Sequence, residues 1–334
     1  MLFSQDIGID LGTGNTLVCA KNKGIIIREP SVVAVDVKLS PARVVAVGEE
    51  AKQMIGRTPG SITAVKPLKD SVIADYDITA DMLKSFMKKA MSGSVFTRPR
   101  VLLCIPSIVT EVERKAVHDA AKAAGARYVS LIEAPMAAAI GAGLPVADAK
   151  GSMIVDIGSG TAETAVIALG DIVASRSVKT AGDAFDNAIV QYIKKNFNLL
   201  IGERTAEEIK ISIGSAYPYE GEGAVSVKGR NLTDGLPGTV EVTSEDIRQA
   251  LSDPLNQIIE AIRLTLEKTP PELSGDIISS GIILTGGSAL LRGLDKLIEK
   301  ETGMTVTVAD KPVDCVVTGI AICLQKDTLN IVNG

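Results

Sequence analysis

The sequence predicts an α/β protein built from two related lobes, and three observations support this prediction. The chain has 334 residues, about twice the usual size of one domain, and 46% of them are hydrophobic, which is ample for two cores. An apolar strand, a Gly-rich turn and a second apolar strand occur together twice, around Asp10 and around Asp156. A further strand, a pair of glycines and the start of a helix follow at 282–290.

Each of the two Gly-rich patterns predicts a β-hairpin. Both contain an aspartate between two apolar residues, followed by glycine, a hydroxyl residue and glycine, and almost half of the chain separates them. A repeat of that length indicates two duplicated halves rather than a solenoid. The two turns are Gly12-Thr13-Gly14-Asn15 and Gly158-Ser159-Gly160-Thr161.

Apolar alternation and helical spacing assign most of the remaining chain. Thr110 and Glu113 fit a capping box, which opens a helix that ends before Gly125. Residues 50–70 are mixed, and the Gly-rich stretch 218–241 has strand-like pieces that predict a small subdomain. Further strands are predicted at 24–27, 31–35, 43–47, 101–106 and 128–132, and further helices at 78–91, after Pro135, and near 184–197, 205–213, 244–266 and 288–300.

Composition and charge disfavour several classes of function. The formal net charge is −5, aromatic residues make up 3% and Trp is absent. Binding to nucleic acid is therefore not expected, because such proteins are usually basic and often stack bases on aromatic rings. The single histidine, His118, lacks the context of a Ser-His-Asp or Cys-His hydrolase. The four cysteines show no Cys-x-x-Cys spacing, which argues against a zinc or thioredoxin-type site.

Three further features of the sequence favour a cytoplasmic location. The first residues lack the basic segment and the long apolar stretch of a signal peptide. No uncharged apolar run reaches the roughly 18 residues of a membrane-spanning helix. Three of the cysteines lie in apolar runs and are expected to be buried thiols in a reducing compartment.

The two Gly-rich turns are suited to binding phosphate. Successive backbone N–H groups in such a turn form an anion-binding concavity, and glycine allows a phosphate to approach closely. The hydroxyl groups of Thr13, Ser159 and Thr161 add donors. Asp10 and Asp156 would repel phosphate unless a cation lay between, so we interpret them as holding hydrated Mg²⁺. Either hairpin alone also fits an ordinary turn, whereas the occurrence of both favours phosphate.

The third Gly-rich segment places a helix start after Gly286 and Gly287, which suits a phosphate or a nucleoside. Taken alone, it fits a plain strand-to-helix turn equally well. Two competing phosphate motifs are missing from the sequence. No Gly-x4-Gly-Lys-Ser/Thr sequence occurs, and both Gly-rich turns lack the third glycine of the dinucleotide fingerprint.

Together, the twin hairpins, the third Gly-rich segment and the duplicated halves resemble the superfamily of actin, hexokinase and the heat-shock-chaperone ATPases. Within it, longer motifs are similar to the MreB family, the bacterial actin-like rod-shape-determining proteins. The similarity covers essentially the whole chain. The motifs that carry it are Asp10–Thr16, Glu29–Ala34, Met54–Pro59, Val72–Tyr76, Ile201–Glu207 and Thr269–Leu273.

The resemblance implies an actin-like ATPase fold, with two duplicated lobes divided into four subdomains around a central nucleotide cleft. It further implies the bounds of each subdomain. These are 1–31 with 71–145 and 318–334 for subdomain IA, 32–70 for IB, 146–180 with 244–317 for IIA, and 181–243 for IIB.

The resemblance also implies ATP and Mg²⁺ as cofactors and assigns their contacts. Asp10 and Asp156 would hold the metal through water. Glu207 and Lys210 lie three residues apart on a predicted helix and so share a face; without the resemblance they would be taken for a solvated surface pair. The residues expected to contact the nucleotide are Thr13, Gly14, Asn15, Gly158, Ser159, Gly160, Thr161, Gly182, Glu207, Lys210, Gly286, Gly287, Ser288 and Ala289.

The sequence departs from the family at positions that matter for hydrolysis and affinity. The family usually has two consecutive Glu residues before Pro135, where this chain has Glu133 and Ala134, and the second Glu is interpreted as orienting the attacking water. Slow hydrolysis with retained ATP binding is therefore expected, with Glu133 as the candidate substitute. Ser159 and Ser288 replace glycines, which predicts a cost wherever φ is positive. Gly14 and Ser71 stand where the family more often has Ala and Gly.

Two segments are candidates for membrane contact. Leu2 and Phe3 are apolar residues at the chain terminus, and Val95 and Phe96 form an apolar loop tip among basic residues, which suits an anionic bilayer. The alternative is that Phe96 packs into its own domain. The family's filaments lie on the inner face of the cytoplasmic membrane. The resemblance implies head-to-tail self-assembly, with paired protofilaments, and membrane-protein partners in cell elongation.

The function predicted from these features is that of an ATP-binding filament protein that organises cell-wall synthesis and maintains rod shape. One alternative is a paralogue weak in hydrolysis that co-polymerises with an active one. A metabolite kinase on the same fold would need an Asp base and a sugar pocket, for which no candidate is found. A chaperone ATPase would need a substrate-binding domain, for which the residues after the third Gly-rich segment are too few.

Overall fold

The computed structural model describes residues 6–38, 43–55, 60–91 and 98–326. The chain forms two compact units. The first unit comprises Met1–Val146 and Val313–Gly334, and the second comprises Ala147–Pro312. Each unit has its own core, which we describe separately.

The first unit contains a five-stranded sheet with the order β10-β9-β1-β2-β3. Strands β1, β2 and β3 are antiparallel neighbours, whereas β9 and β10 run parallel to β1. A three-stranded sheet, β5-β4-β6, and a two-stranded ribbon, β7-β8, complete its strands. The strands are β1 (Ile7–Leu11), β2 (Asn15–Ala20), β3 (Gly24–Pro30), β4 (Val33–Asp36), β5 (Arg43–Val47), β6 (Ile62–Val65), β7 (Leu68–Lys69), β8 (Val72–Ile73), β9 (Arg100–Ile105) and β10 (Tyr128–Glu133).

The second unit repeats the larger sheet, with the order β13-β12-β11-β17-β18. Its first three strands are again antiparallel neighbours, and β17 and β18 again run parallel to β11. A small sheet, β14-β15-β16, lies outside it. The strands are β11 (Ser152–Ile157), β12 (Ala162–Ala168), β13 (Asp171–Val178), β14 (Leu199–Leu200), β15 (Ala224–Asn231), β16 (Pro237–Thr243), β17 (Ile282–Thr285) and β18 (Val306–Val308).

The shared strand order confirms the duplication that the two Gly-rich patterns predicted. In both units a hairpin forms the middle of the sheet, and its first strand pairs with a parallel strand from much later in the unit. Asp10 and Asp156 occupy the same place, the penultimate residue of β1 and of β11. The two hairpins are therefore equivalent by topology as well as by sequence.

Helices cover the sheets and bury their apolar sides against them. In the first unit Phe86 and Met82 are fully buried with Ile9, and in the second Phe185 and Ile189 are fully buried with Val155. The helices are α1 (Glu49–Met54), α2 (Tyr76–Ala90), α3 (Glu111–Ala123), α4 (Ala134–Gly141), α5 (Gly182–Phe197), α6 (Glu203–Ile213), α7 (Ser244–Lys268), α8 (Pro271–Ser280), α9 (Leu294–Thr302) and α10 (Cys315–Gln325).

The helix predictions need correction in two respects. The predicted helix at 288–300 is instead a short 3-10 helix, Gly287–Leu290, followed by α9. The break falls at Gly293, whose φ of 70° is left-handed and whose position leaves no room for a Cβ beside Tyr217. Helices α1, α8 and α10 were not predicted. Pro271 is in fact the first residue of α8, where a missing N–H costs nothing.

Other local predictions are confirmed. Thr110 and Glu113 form the capping box at the start of α3, with the Glu113 N–H donating to Thr110 Oγ1 at 3.2 Å. Cys19, Cys104 and Cys315 are buried. Among the residues described, no helix is long and apolar enough to cross a membrane.

Candidate functional site

The Gly-rich turn of the second unit connects β11 to β12. The Gly158 N–H closes the turn by donating to the Thr161 carbonyl at 3.0 Å. The N–H groups of Ser159 and Gly160 donate to no backbone carbonyl in the described part of the chain. Two adjacent N–H groups of this kind can donate hydrogen bonds to an anion without breaking the turn.

Asp156 lies at the end of β11, opposite Thr285 on the parallel strand β17. The Thr285 hydroxyl donates to Asp156 Oδ1 at 2.8 Å. Burial raises the pKa of Asp156 to about 6, and the hydrogen bond from Thr285 acts in the opposite direction. The side chain is thus a desolvated carboxylate beside the turn, where a cation would stabilise its charge.

The start of α5 and the 3-10 helix both contact this turn. The Gly182 N–H and the Ser288 hydroxyl each donate to the Gly158 carbonyl, at 3.2 Å and 2.7 Å. A Cβ on Gly182 would lie 2.9 Å from Ser288 Oγ and 3.3 Å from Ser159 Cα. Three segments that the sequence placed at the nucleotide are therefore brought together.

Gly286 is required by its backbone conformation. Its φ is 84°, and a Cβ there would lie 2.3 Å from the Ile157 carbonyl oxygen. Its N–H donates to the Pro312 carbonyl at 2.9 Å. Beside it, Gly287 has open space where a side chain would project. The pair of glycines thus holds the 3-10 helix close to β11 and leaves room on its other side.

Helix α6 is joined to the start of α5 by Lys210. Its Nζ donates to the Gly182 carbonyl at 3.3 Å and forms an ion pair with Asp186 Oδ1 at 2.7 Å. Burial raises the pKa of Asp186 to about 6, although Lys210 lowers it and the nearby charge of Glu207 raises it. Glu207 and Lys210 are half-buried. Lys210 is therefore held by contacts within the protein and is not a solvated surface residue.

The Gly-rich turn of the first unit has its own set of hydrogen bonds. The Gly12 N–H donates to the Asn15 carbonyl at 3.2 Å, and Ser31 donates through its hydroxyl to Gly12 and through its N–H to Gly14. The Thr13 hydroxyl accepts from the Ser71 N–H at 2.9 Å. These contacts fix the predicted phosphate turn in place, with Asp10 half-buried on β1 beside it.

Glu133 and Ala134 stand at the junction of β10 and α4. Glu133 is the last residue of β10, and Ala134 is the first residue of α4. Both are half-buried, and α4 has no acidic residue in its first turn. The family's second carboxylate would therefore lie at a helix N-terminus.

The strain expected at Ser159 and Ser288 is absent. Neither residue has a positive φ, and Ser288 gains a hydrogen bond to Gly158. Ser71, by contrast, has a φ of 60°, a conformation that favours glycine. The cost of replacing glycine thus falls at Ser71, next to Thr13.

Sequence reasoning missed several residues that support the site. Asp186, Thr285 and Ser31 were not singled out, because each acts through a partner distant in sequence. The predicted membrane residues Leu2, Phe3, Val95 and Phe96 lie outside the described residues. Within the described ranges, no group of three or more His, Cys, Asp or Glu side chains is arranged to bind a metal directly.

Comparison with known proteins matches nearly the whole chain to one family. The family model of the MreB/Mbl protein covers residues 4–331. The cell shape-determining protein Mbl of Bacillus subtilis (strain 168) is 50% identical over 325 residues, 97% of each chain. The cell shape-determining protein MreB of Escherichia coli (strain K12) is 54% identical over 322 residues, 95% of this chain and 92% of that protein.

Solved structures show the same fold. The crystal structure of MreB5 of Spiroplasma citri bound to ADP superposes with a TM-score of 0.93, at 39% identity and 99% coverage of each chain. The MamK double helical filament gives a TM-score of 0.81 at 20% identity, over 96% of this chain and 98% of that one. The fold is therefore actin-like, and the chain belongs to the MreB/Mbl family.

Proposed function

We propose that this protein binds ATP with Mg²⁺, polymerises into filaments on the inner face of the cytoplasmic membrane, and organises cell-wall synthesis so as to determine cell shape. The observation that carries the proposal is the set of contacts at Gly158. The phosphate turn, the start of α5 and the 3-10 helix meet at its carbonyl. Segments far apart in sequence bring polar groups together there, as is typical of ligand sites.

The residues of the second unit fit a polyphosphate. The N–H groups of Ser159 and Gly160 and the hydroxyl of Thr161 supply donors, and a Cβ on Gly182 would intrude on this turn. In the first unit Thr13, Gly14 and Asn15 form the equivalent turn. We propose that these residues bind and orient the phosphates.

The nucleoside is assigned to α6 and the segment around the 3-10 helix. Glu207 and Lys210 project from α6, and Lys210 is held by Asp186. The proposed contacts on the other side are Gly286, Gly287, Ser288 and Ala289. The Spiroplasma citri MreB5 structures are bound to ADP and to AMPPNP, which supports an adenine nucleotide as the ligand here.

Mg²⁺ is assigned to water molecules held by Asp10 and Asp156, each at the same place in its own hairpin. A hard cation prefers oxygen ligands and often keeps several waters, so single carboxylates suffice without a cluster. The desolvation of Asp156 supports this role, because a nearby cation would offset its cost. The metal would neutralise phosphate charge when bound.

Filament formation and membrane contact rest on the family and on the sequence. Relatives at about 50% identity are named cell shape-determining proteins, and MamK of the same fold forms a double helical filament. Leu2, Phe3, Val95 and Phe96 are the proposed membrane residues, and elongation-associated membrane proteins are the proposed partners. A filament multiplies weak contacts of single protomers by avidity.

Co-sedimentation tests the proposal. The purified protein with ATP and Mg²⁺ is expected to pellet as polymer, and to pellet with anionic liposomes at lower protein concentration than without them. The double variant Val95→Asp, Phe96→Asp is expected to polymerise in solution but to lose the liposome effect. A wild-type protein that does not pellet with ATP and Mg²⁺ contradicts the proposal, and unchanged liposome binding of the variant excludes this loop from membrane contact.

A second candidate is a family member that is weak in hydrolysis and co-polymerises with an active one. Ala134 favours it, because alanine cannot orient the attacking water, and Glu133 is the remaining candidate for that role. Mixing the protein with a relative that has two consecutive Glu residues is the test. A single polymer containing both chains, with phosphate release that scales with the relative, supports this candidate. Separate polymers contradict it.

A further inference from the structure

Four segments of the second unit are joined by hydrogen bonds into a closed ring. They are the turn at Gly158, the start of α5, helix α6, and the chain from 286 to 293. Ser288 and Gly182 both donate to the Gly158 carbonyl, and Lys210 donates to the Gly182 carbonyl. These bonds close every side of the ring except the one between α6 and the chain after the 3-10 helix.

Arg292 closes that remaining side. Its Nη1 donates to the Ser212 carbonyl at 2.9 Å and lies 3.5 Å from the Gly214 carbonyl oxygen. Ser212 belongs to the last turn of α6, whose carbonyls have no donor within the helix. A cation there completes hydrogen bonds and interacts favourably with the negative end of the helix dipole.

The backbone of Arg292 is tied to the same region. Its carbonyl accepts from the Ala216 N–H at 2.7 Å, and Ser215 and Arg292 form an isolated parallel bridge. Its guanidinium lies over the ring of Tyr219, with 5.7 Å between Cζ and the ring centroid. Arg292 therefore binds the C-terminal end of α6 through its side chain and the loop after α6 through its main chain.

Gly293 allows this close approach. A Cβ on Gly293 would lie 2.8 Å from Tyr217 Cβ and 3.1 Å from the Tyr217 nitrogen. The chain after the 3-10 helix thus packs directly on the segment that follows Lys210. A movement of one is therefore transmitted to the other through this direct contact.

We propose that Arg292 is a positioning residue for the nucleoside of ATP. It sets the spacing between α6, which carries Glu207 and Lys210, and the segment Gly286–Ala289. This inference rests on the proposed nucleotide site and deepens it, since Arg292 acts through these residues and not through contact with the nucleotide. Loss of its side chain removes the hydrogen bonds to the C-terminal end of α6, leaves only the main-chain contacts with Ser215 and Ala216, and loosens the spacing between the two sides of the site.

The test compares Arg292→Ala with Arg263→Ala. Arg263 is a matched control, because it also joins two helices of this unit, α7 and α9, by bonding the Glu301 carbonyl at 3.2 Å and the Glu301 carboxylate at 2.6 Å. It lies outside the ring. Dissociation constants for ADP and ATP are measured by calorimetry, together with deuterium uptake of residues 209–214 in the ligand-free protein.

For Arg292→Ala we expect both dissociation constants to rise at least five-fold by the same factor, and uptake at 209–214 to increase. Arg292→Lys, which keeps a cation near Ser212, is expected to recover part of the affinity. Arg263→Ala is expected to match the wild type within two-fold. Affinity of Arg292→Ala within two-fold of the wild type, unchanged uptake, or equal losses in both alanine variants overturns the inference. A wild type that binds neither nucleotide overturns the proposed function as well.

Discussion

Thr285 donates a hydrogen bond of 2.8 Å to Asp156 from the neighbouring parallel strand. The bond favours the charged carboxylate, yet burial still raises the pKa of Asp156 to about 6. The ligand-free unit thus keeps a carboxylate that destabilises it near neutral pH. A group held at such a cost beside the turn proposed to bind phosphate is typical of a functional site.

Replacing Asp156 with asparagine is expected to stabilise the ligand-free protein and to abolish its use of Mg²⁺. Asparagine accepts the same bond from Thr285 without a charge to desolvate. The free energy of unfolding at pH 7.5 should rise by about 1–2 kcal/mol. Urea denaturation measures this change, and calorimetry should show at least ten-fold weaker ATP binding with Mg²⁺.

Asp253→Asn, an exposed position on α7, is the control for this change and should alter neither quantity. A loss of stability in Asp156→Asn would show that the carboxylate is structural. Unchanged Mg²⁺-dependent binding would remove it from the metal site.

The burial of Asp186, which outweighs its ion pair with Lys210, predicts a pH dependence. The pKa of Asp186 is raised to about 6 in the folded protein from 3.8, so the folded state binds the proton more tightly. The stabilisation this gives is complete below about pH 4 and is lost as the pH rises through 6. From pH 5 to 7.5 the wild type should lose about 1 kcal/mol of unfolding free energy relative to Asp186→Asn.

Urea denaturation of both proteins at the two pH values measures that difference. The contributions of the other carboxylates are the same in both proteins and therefore cancel. Equal pH dependence of the wild type and Asp186→Asn would show that Asp186 is fully charged over this range. The same variant should bind ATP several-fold more weakly, because Lys210 loses the partner that orients it.

Gly182→Ala is expected to impair nucleotide binding more than folding. The added Cβ would meet Ser288 Oγ at 2.9 Å, and the hydroxyl can rotate away only by breaking its bond to Gly158. The cost to stability is therefore about 1 kcal/mol, the value of one hydrogen bond. ATP affinity should fall at least ten-fold, because the Ser159 turn is displaced.

Gly202→Ala is the matched control for Gly182→Ala, since Gly202 precedes α6 and a Cβ there meets nothing within 4 Å. Thermal unfolding and ATP titration of both variants make the comparison. If both lose affinity equally, steric crowding at Gly182 is not the cause.

Local patterns explain why the hairpins were predictable. Asp10 and Asp156 lie between apolar residues and next to glycines, and turn residues at fixed spacing act over a few positions. The duplication inferred from them is confirmed by the shared strand order of the two larger sheets. The break at Gly293 was not predictable in this way, because it depends on Tyr217 from another part of the chain.

The residues that hold the site in place could not be predicted from the sequence, for the same reason. Thr285 reaches Asp156 across 129 positions, and Arg292 reaches Ser212 across 80. No local spacing links such pairs, and only the packing of the sheet and helices brings them together. Lys210 was assigned by resemblance, whereas its partner Asp186 became apparent only in the folded chain.

Ala134→Glu is expected to accelerate hydrolysis of ATP. Position 134 is the first residue of α4, whose first turn has no acidic residue, so a carboxylate there interacts favourably with the helix dipole. A positioned carboxylate contributes roughly 10²–10⁴-fold when it orients or deprotonates a nucleophile. We expect phosphate release by Ala134→Glu to exceed that of the wild type at least ten-fold, with ATP affinity unchanged.

Glu133→Ala separates the two carboxylate positions. If hydrolysis is slow because of Ala134, Glu133→Ala should lower the small wild-type rate of phosphate release only slightly. The double variant Glu133→Ala, Ala134→Glu should then remain as fast as Ala134→Glu. Wild-type release equal to that of a relative with two consecutive Glu residues, and abolished by Glu133→Ala, would assign the water-orienting role to Glu133. The slow-hydrolysis hypothesis would then be wrong, because the β10 end of the junction, rather than the start of α4, would present the carboxylate.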